Sequence, residues 1–165
     1  MYFGEAITKL DDKGRITVPR RVRETMDVLG HAIWYMTRGF DQSIFLFHRD
    51  EWQRIMDRVS QFASMDETAL DFRRLFFSSL AEARPDGQGR FAIPPHLRKH
   101  SGLEGDDREA VLIGVGDHLE LWNKDTWEQF LENKEPVYKQ IAAPMFTRKD
   151  NGQGTTEKGG QDNAD

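Results

Sequence analysis

Two short stretches hold the residues whose types and spacing point most directly to chemistry. The first runs Asp11-Asp12-Lys13-Gly14-Arg15-Ile16-Thr17-Val18-Pro19 and leads into Arg20, Arg21 and Arg23. The second runs Asp86-Gly87-Gln88-Gly89-Arg90-Phe91-Ala92-Ile93-Pro94 and leads into His96 and Arg98. In each, an acid and a glycine make a tight turn, because Asp side chains bond nearby backbone amides and Gly tolerates positive φ. An arginine then opens a β-branched or aromatic run. A guanidinium held at such a turn is suited to phosphate oxygens or to the O6 and N7 edge of guanine. The competing account is architectural: Asp11 pairs with Arg15, and Asp86 with Arg90, only to fix the turn. That account covers Asp11, Gly14, Asp86 and Gly89 well, but leaves Lys13, Arg20 and Arg21 unexplained.

Charge bears on the choice. The 165-residue chain carries a net charge of −5, which argues against indiscriminate coating of nucleic acid. Residues 9–24, however, hold six Lys or Arg against three acids. Anion binding is therefore expected from a local patch.

Other chemistries find less support. The chain has no cysteine, which excludes disulfides, thiolate metal sites and a cysteine nucleophile. Gly87-Gln88-Gly89 lacks the Lys-Ser/Thr pair of a phosphate-binding loop. His96 and His100 share a helical spacing, but the residues between them are Leu97, Arg98 and Lys99, with no glutamate of a protease helix. His31, His48 and His118 show no partner pattern. No catalytic residue, metal site, cofactor or small-molecule substrate is expected. No apolar run reaches a membrane-spanning length, and the first residues do not read as a secretory signal.

The elements that must position the two arginines repeat. At an offset of 75 residues the halves share Ala6/Ala81, Asp11/Asp86, Gly14/Gly89, Arg15/Arg90, Pro19/Pro94, Arg23/Arg98, Gly30/Gly105, Gly39/Gly114, Leu46/Leu121, Asp50/Asp125 and Trp52/Trp127. This reads as one continuous register. Each half is expected to be β-β-α-β-β: strands at residues 3–10 and 15–18, a short helix from Pro19, then strands at 33–37 and 43–47. Asp50 and Asp125 look like helix N-caps, with Gln53 and Glu128 completing capping boxes. Ser64 or Asp66 would cap a further helix to about Leu80. Two copies are too few for a solenoid, and a unit of about 45 residues buries little alone, so the pair should close on one shared core. The many aromatics, Phe72, Phe76 and Phe77 among them, are expected in the core or at a subunit interface. Residues 147–165 have almost no apolar side chains and should be disordered.

These motifs, with the Glu51-Trp52 helix and the Leu119-Glu120-Leu121-Trp122 strand, resemble the bacterial MraZ family over residues 1–143. The resemblance implies an α+β, β-rich fold of two tandem AbrB-like (SpoVT-AbrB) swapped-hairpin units forming a pseudo-twofold barrel. Units would lie at 5–50 and 79–125, connecting helices at 51–78, a helical segment at 126–146 and the tail at 147–165. It also implies a cytoplasmic, nucleoid-associated regulator of the division and cell-wall operon. That regulator would bind repeated boxes in double-stranded promoter DNA as a homo-oligomeric ring. Lys13, Arg15, Arg20, Arg21 and Arg90 would be its DNA contacts. An oligomeric protein-interaction scaffold without DNA binding is the alternative.

Overall fold

The computed structural model describes residues 1–61, 66–105 and 109–146. By contact density the chain divides into two compact units, residues 1–130 and 131–165. In the first unit the order is β1 (Tyr2–Lys9), β2 (Arg15–Thr17), α1 (Arg20–Leu29), β3 (Trp34–Arg38), β4 (Ile44–His48), α2 (Arg49–Gln61) and α3 (Glu67–Ser78). It continues with β5 (Ala81–Ala83), β6 (Arg90–Ala92), α4 (Pro95–His100), β7 (Glu109–Gly116) and β8 (Leu119–Asn123), and enters α5 (Lys124–Lys134). The second unit holds the end of α5, a 3-10 turn at Glu135–Val137 and α6 (Tyr138–Phe146). Its last helix runs through Pro144, within the helical segment expected at 126–146. The expected tail, 147–165, lies outside the described residues, as does Ser64.

The expected β-β-α-β-β unit occurs twice, and the two copies are interleaved. A six-stranded antiparallel sheet has the order β1-β7-β8-β4-β3-β5, and β2 and β6 form a separate two-stranded ribbon. The first strand of each copy thus pairs with the third strand of the other, β1 with β7 and β5 with β3. The second strands pair with each other, as do the fourth strands β4 and β8. The fold is α+β and β-rich, as the repeat implied.

One core joins the ribbon to the inner face of the sheet. Ile16 and Phe91, paired across the ribbon, are both fully buried, together with Trp34, Ile44, Leu46, Leu97 and Leu121. The outer face of the sheet is covered separately in each half. Phe45 and Phe47 pack under Trp52 of α2 and Phe76 of α3, while Val111, Ile113 and Trp122 pack under Trp127 and Phe130 of α5. The aromatic stripe of α3 resolves into a stack: Phe76 and Phe77 lie against Trp52, and Phe72 stacks on Phe76 at 5.2 Å.

Two sequence expectations need correction. The repeat register does slip. Trp34 pairs with Ala83 whereas Ala110 pairs with Thr8, so β3 matches β7 at an offset of 76, and the Gly39/Gly114 match is not structural. The extra residue falls before β7, and the hairpin gives it back: Gly39 N bonds Ser43 O in the first copy, but Val115 N bonds His118 O in the second. A slip inside a strand would turn every side chain to the wrong face, so it is confined to loops. The helix caps also lie two residues earlier than expected. Asn123 Oδ1 accepts from Asp125 N at 2.9 Å and Thr126 N at 3.3 Å, and His48 Nδ1 accepts from Glu51 N at 3.4 Å. Because β4 and β8 run straight into α2 and α5, the strand's last residue takes the cap and Asp50 and Asp125 fall in the first helical turn. Asp66 does cap α3, as expected.

A fragment of residues 1–80 leaves β1, β2, β3 and β4 each without one partner strand and opens Ile16 to water. Light scattering should therefore find no folded monomer of this fragment, only a dimer of two first copies or unfolded chain.

Candidate nucleic-acid interface

The two turns superimpose bond for bond. Asp11 Oδ1 accepts from Lys13 N (2.9 Å) and Arg15 N (3.0 Å), and Asp86 Oδ1 accepts from Gln88 N (2.9 Å) and Arg90 N (3.0 Å). The other carboxylate oxygen takes the guanidinium: Arg15 Nε and NH2 both lie 2.7 Å from Asp11 Oδ2, and Arg90 Nε and NH2 lie 2.8 Å from Asp86 Oδ2. Gly14 and Gly89 stand at φ +69° and +71°, the left-handed region that favours glycine.

Each turn is also closed from the opposite copy. Val18 N donates to Gly89 O and Ile93 N to Gly14 O, both at 2.9 Å. The Arg23 side chain lies over Gly89, and the Arg98 guanidinium over Gly14, where an added Cβ would meet it at 2.8 Å. Arg23 and Arg98, shared by both copies, thus brace the turns from across the pseudo-twofold. In the structure they lie against backbone.

On the ribbon Arg15 pairs with Ala92 and Arg90 with Thr17. With Ile16 and Phe91 turned inward, these four residues share the outward face. Arg15 and Arg90 are diagonal neighbours, about 7–8 Å apart at the backbone. Thr17 and Ala92 between them are exposed and small. Each arginine has spent Nε and NH2 on its aspartate, and neither NH1 has a partner among the described residues. The ion pair therefore does not use up the guanidinium. It fixes the guanidinium plane and leaves one edge to donate.

The other expected contacts fall in different places. Lys13 sits at the exposed tip of the first turn. Arg20, on the first turn of α1, is highly exposed and paired with Glu24 at 2.8 Å. It lines a cleft together with Asp86, Gly87 and Gly89, so it belongs with the second turn rather than its own. The turn that has Gln88 in place of a lysine is supplied with a cation by the other copy. Arg21 points the other way: its NH2 donates to Phe3 O at 2.6 Å and its guanidinium lies 4.9 Å over the Phe3 ring. The structure therefore brings Arg15, Arg90, Lys13 and Arg20 around the ribbon and docks Arg21 on the edge strand β1.

Of the histidines that sequence reading weighed, His96 Nε2 is hydrogen-bonded with Ser79 O at 2.9 Å, tying α4 to the residue after α3. Among the described residues His96 and His100 belong to no group of three convergent metal-binding side chains. His31 and His48, which showed no pattern in sequence, stack face to face with ring centroids 3.8 Å apart. Aligning the two copies could have flagged them, since His48 stands where the second copy has Asn123.

Asp11 and Asp86 are both held at a pKa of about 2, first by the side-chain hydrogen bond from the paired arginine and then by its backbone amide. A carboxylate whose folded pKa lies below its ordinary value near 4 stabilises the fold above that value, and the contribution disappears as pH falls from about 4 to about 2. Acid unfolding followed by circular dichroism should therefore show a loss of stability in that window. The Asp11→Asn/Asp86→Asn double variant should lack that share of the slope.

The comparisons with known proteins agree with the duplicated fold. The family described as "MraZ protein, putative antitoxin-like" matches this chain twice, over residues 1–75 and 76–149. A protein named Transcriptional regulator MraZ from Heliobacterium modesticaldum is 36% identical over 146 residues, covering 88% of this chain and 97% of its own length. A protein of the same name from Syntrophomonas wolfei is 38% identical over 142 residues, covering 86% and 94%. One from Carboxydothermus hydrogenoformans is 35% identical over 145 residues, covering 88% and 96%.

Proposed function

We propose that this chain, which belongs to the MraZ family, is a transcriptional regulator that binds promoter DNA through the outward face of the β2–β6 ribbon. The observation that carries the proposal is the pair of oriented arginines, Arg15 and Arg90, on one exposed face with small residues between them. A two-stranded ribbon fits the major groove, which is about 12 Å wide. Arg15 and Arg90 donate from NH1 to guanine edges or phosphates, while Thr17 and Ala92 leave room for close approach. Lys13 beside the first turn and Arg20 beside the second act as phosphate anchors. Arg21, committed to Phe3, adds to the local positive field more than to direct contact.

The relatives' printed name, Transcriptional regulator MraZ, supports regulation of transcription, which is not a catalytic role. The finer reading follows from the sequence resemblance: a ring-shaped homo-oligomer acting in the cytoplasm at the nucleoid. Its target would be repeated boxes upstream of the division and cell-wall operon. One ribbon offers few contacts, so joining several in one assembly raises affinity by effective concentration without any new bond. No described helix is long and apolar enough to cross a membrane.

The test is fluorescence anisotropy with DNA from upstream of the gene. Arg15→Ala and Arg90→Ala should each weaken binding about tenfold or more, since a good guanidinium contact to a base is worth roughly 1–3 kcal/mol. Arg20→Ala should weaken binding more than Arg21→Ala. Log affinity should fall with log salt by about 0.9 per neutralised phosphate. No binding at micromolar protein, or binding that ignores salt, would favour the scaffold instead. Arg15→Ala that unfolds the chain would return that residue to turn architecture.

A further inference from the structure

The two copies differ in chemistry at one place that the DNA-binding reading does not use. A cleft of about 380 Å³ lies where β1 begins, α1 ends and α2 starts, lined by Met1, Tyr2, His31, His48, Arg54 and Asp117. His48 is buried, with 8% of its surface exposed, and its ring stacks on that of His31 with only 10° between planes. Asp50 stands beside them. One ligating atom from each of His31, His48 and Asp50 lies within 4.8 Å of the others.

We propose that His31, His48 and Asp50 form a binding site for one divalent transition-metal ion of the zinc, cobalt or nickel type. Two imidazoles and one carboxylate make a nitrogen-rich, borderline donor set that selects these ions over calcium or magnesium. The donors are available. The Asp50 carboxylate has no hydrogen bond or ion pair among the described residues. His31 has its Nδ1 at 2.7 Å from the Tyr2 hydroxyl, which leaves Nε2 open. That is the arrangement in which the second nitrogen of a ligand histidine is held by an outer partner. Among the described residues the His48 ring receives one hydrogen bond, the long 3.4 Å bond from Glu51 N, which a metal displaces at little cost. Arg54, the cation on the rim, is neutralised by Glu51 at 2.7 Å. Ligand nitrogens around a tetrahedral ion lie about 3.3–3.5 Å apart, given bonds of about 2.0–2.1 Å. The stacked rings aim their in-plane lone pairs side by side rather than at one point, so binding turns the half-buried His31 out of the stack and brings in Asp50, which is exposed.

The fold alone does not require a histidine at position 48, which corresponds to Asn123 at the 75-residue offset. Asn123 caps its helix through two bonds of 2.9 and 3.3 Å, whereas His48 makes one of 3.4 Å. A histidine at position 48 is thus the poorer cap and the better ligand. Bound there, an ion ties the α1–β3 loop that holds His31 to the start of α2, with Tyr2 of β1 supporting it from behind.

The experiment uses the full chain without an affinity tag, stripped with EDTA and titrated with Zn²⁺ by calorimetry, with Co²⁺ absorption as a second readout. The expected result is one ion per chain at micromolar affinity or tighter. A Co²⁺ d–d band should appear in the parent and be absent in His48→Asn, which copies the cap of the other half. His31→Ala should lose at least tenfold in affinity, and Tyr2→Phe should lose up to tenfold through the freed ring. His96→Ala should bind as the parent does. Absence of stoichiometric binding to the parent overturns the proposal. So does equal binding by His48→Asn and His31→Ala, which would place the ion elsewhere on the chain. Circular dichroism of both variants separates a lost ligand from a lost fold.

Discussion

The structure depends on the pairing of Ile16 with Phe91 at the centre of the β2–β6 ribbon. A strand of three residues cannot stand alone, and its two outward residues in each copy are polar or small. Only the inward residue supplies apolar burial, and it does so only when both copies contribute. That condition forces the interleaving seen in the sheet, where β1 crosses to β7 and β5 to β3. Backbone bonds from Val18 to Gly89 and from Ile93 to Gly14 extend the same exchange into the turns. The outward face of the ribbon thus exists only as a property of the pair, and neither half forms it alone.

The acid in each turn acquires a second role from this arrangement. An Asp–Arg pair on a surface is worth little to stability, because solvent screens it and two side chains must be ordered. Here the aspartate already accepts two backbone amides, so its position is set before the arginine arrives. The guanidinium then docks on a fixed group and loses less freedom than in an isolated pair. Its free edge points from a defined place on the ribbon, and the ordering cost is met on folding rather than on binding any ligand. Turn architecture and the proposed DNA contact, alternatives in the sequence, become compatible uses of one hydrogen-bonded unit.

Local chemistry was legible in the chain and long-range pairing was not. The glycine turns, the prolines before α1 and α4 and the 75-residue repeat all follow from residue types at short spacing. Which strand pairs with which copy does not, because β1 and β5 satisfy the same alternation whether they fold back or cross over. The caps were misplaced because an Asp followed three residues later by Gln or Glu looks the same whether a loop or a strand precedes it. Only the strand's run into the helix makes His48 and Asn123 the caps. The slip between β3 and β7 was hidden by a chance Gly39/Gly114 identity. Arg21 could not be separated from Arg20 in sequence, since what separates them is Phe3 on a strand 18 residues away.

The duplication itself provides a control that a single domain lacks. Where both copies keep a residue, as with Asp11 and Asp86 or Arg23 and Arg98, the shared turn geometry is reason enough. Where they differ, the backbone has accepted both residues, so the fold does not explain the choice. Lys13 against Gln88 and Arg20 against Pro95 are such differences, and the crossover sets Arg20 beside the turn that lacks the lysine. These differences redistribute charge around one ribbon and fit the proposed DNA binding. His48 against Asn123 is a difference of another kind. It lies away from the ribbon and sets one of two stacked imidazoles where the other copy has a helix-capping amide. Charge around the ribbon does not account for it, whereas the proposed metal site does.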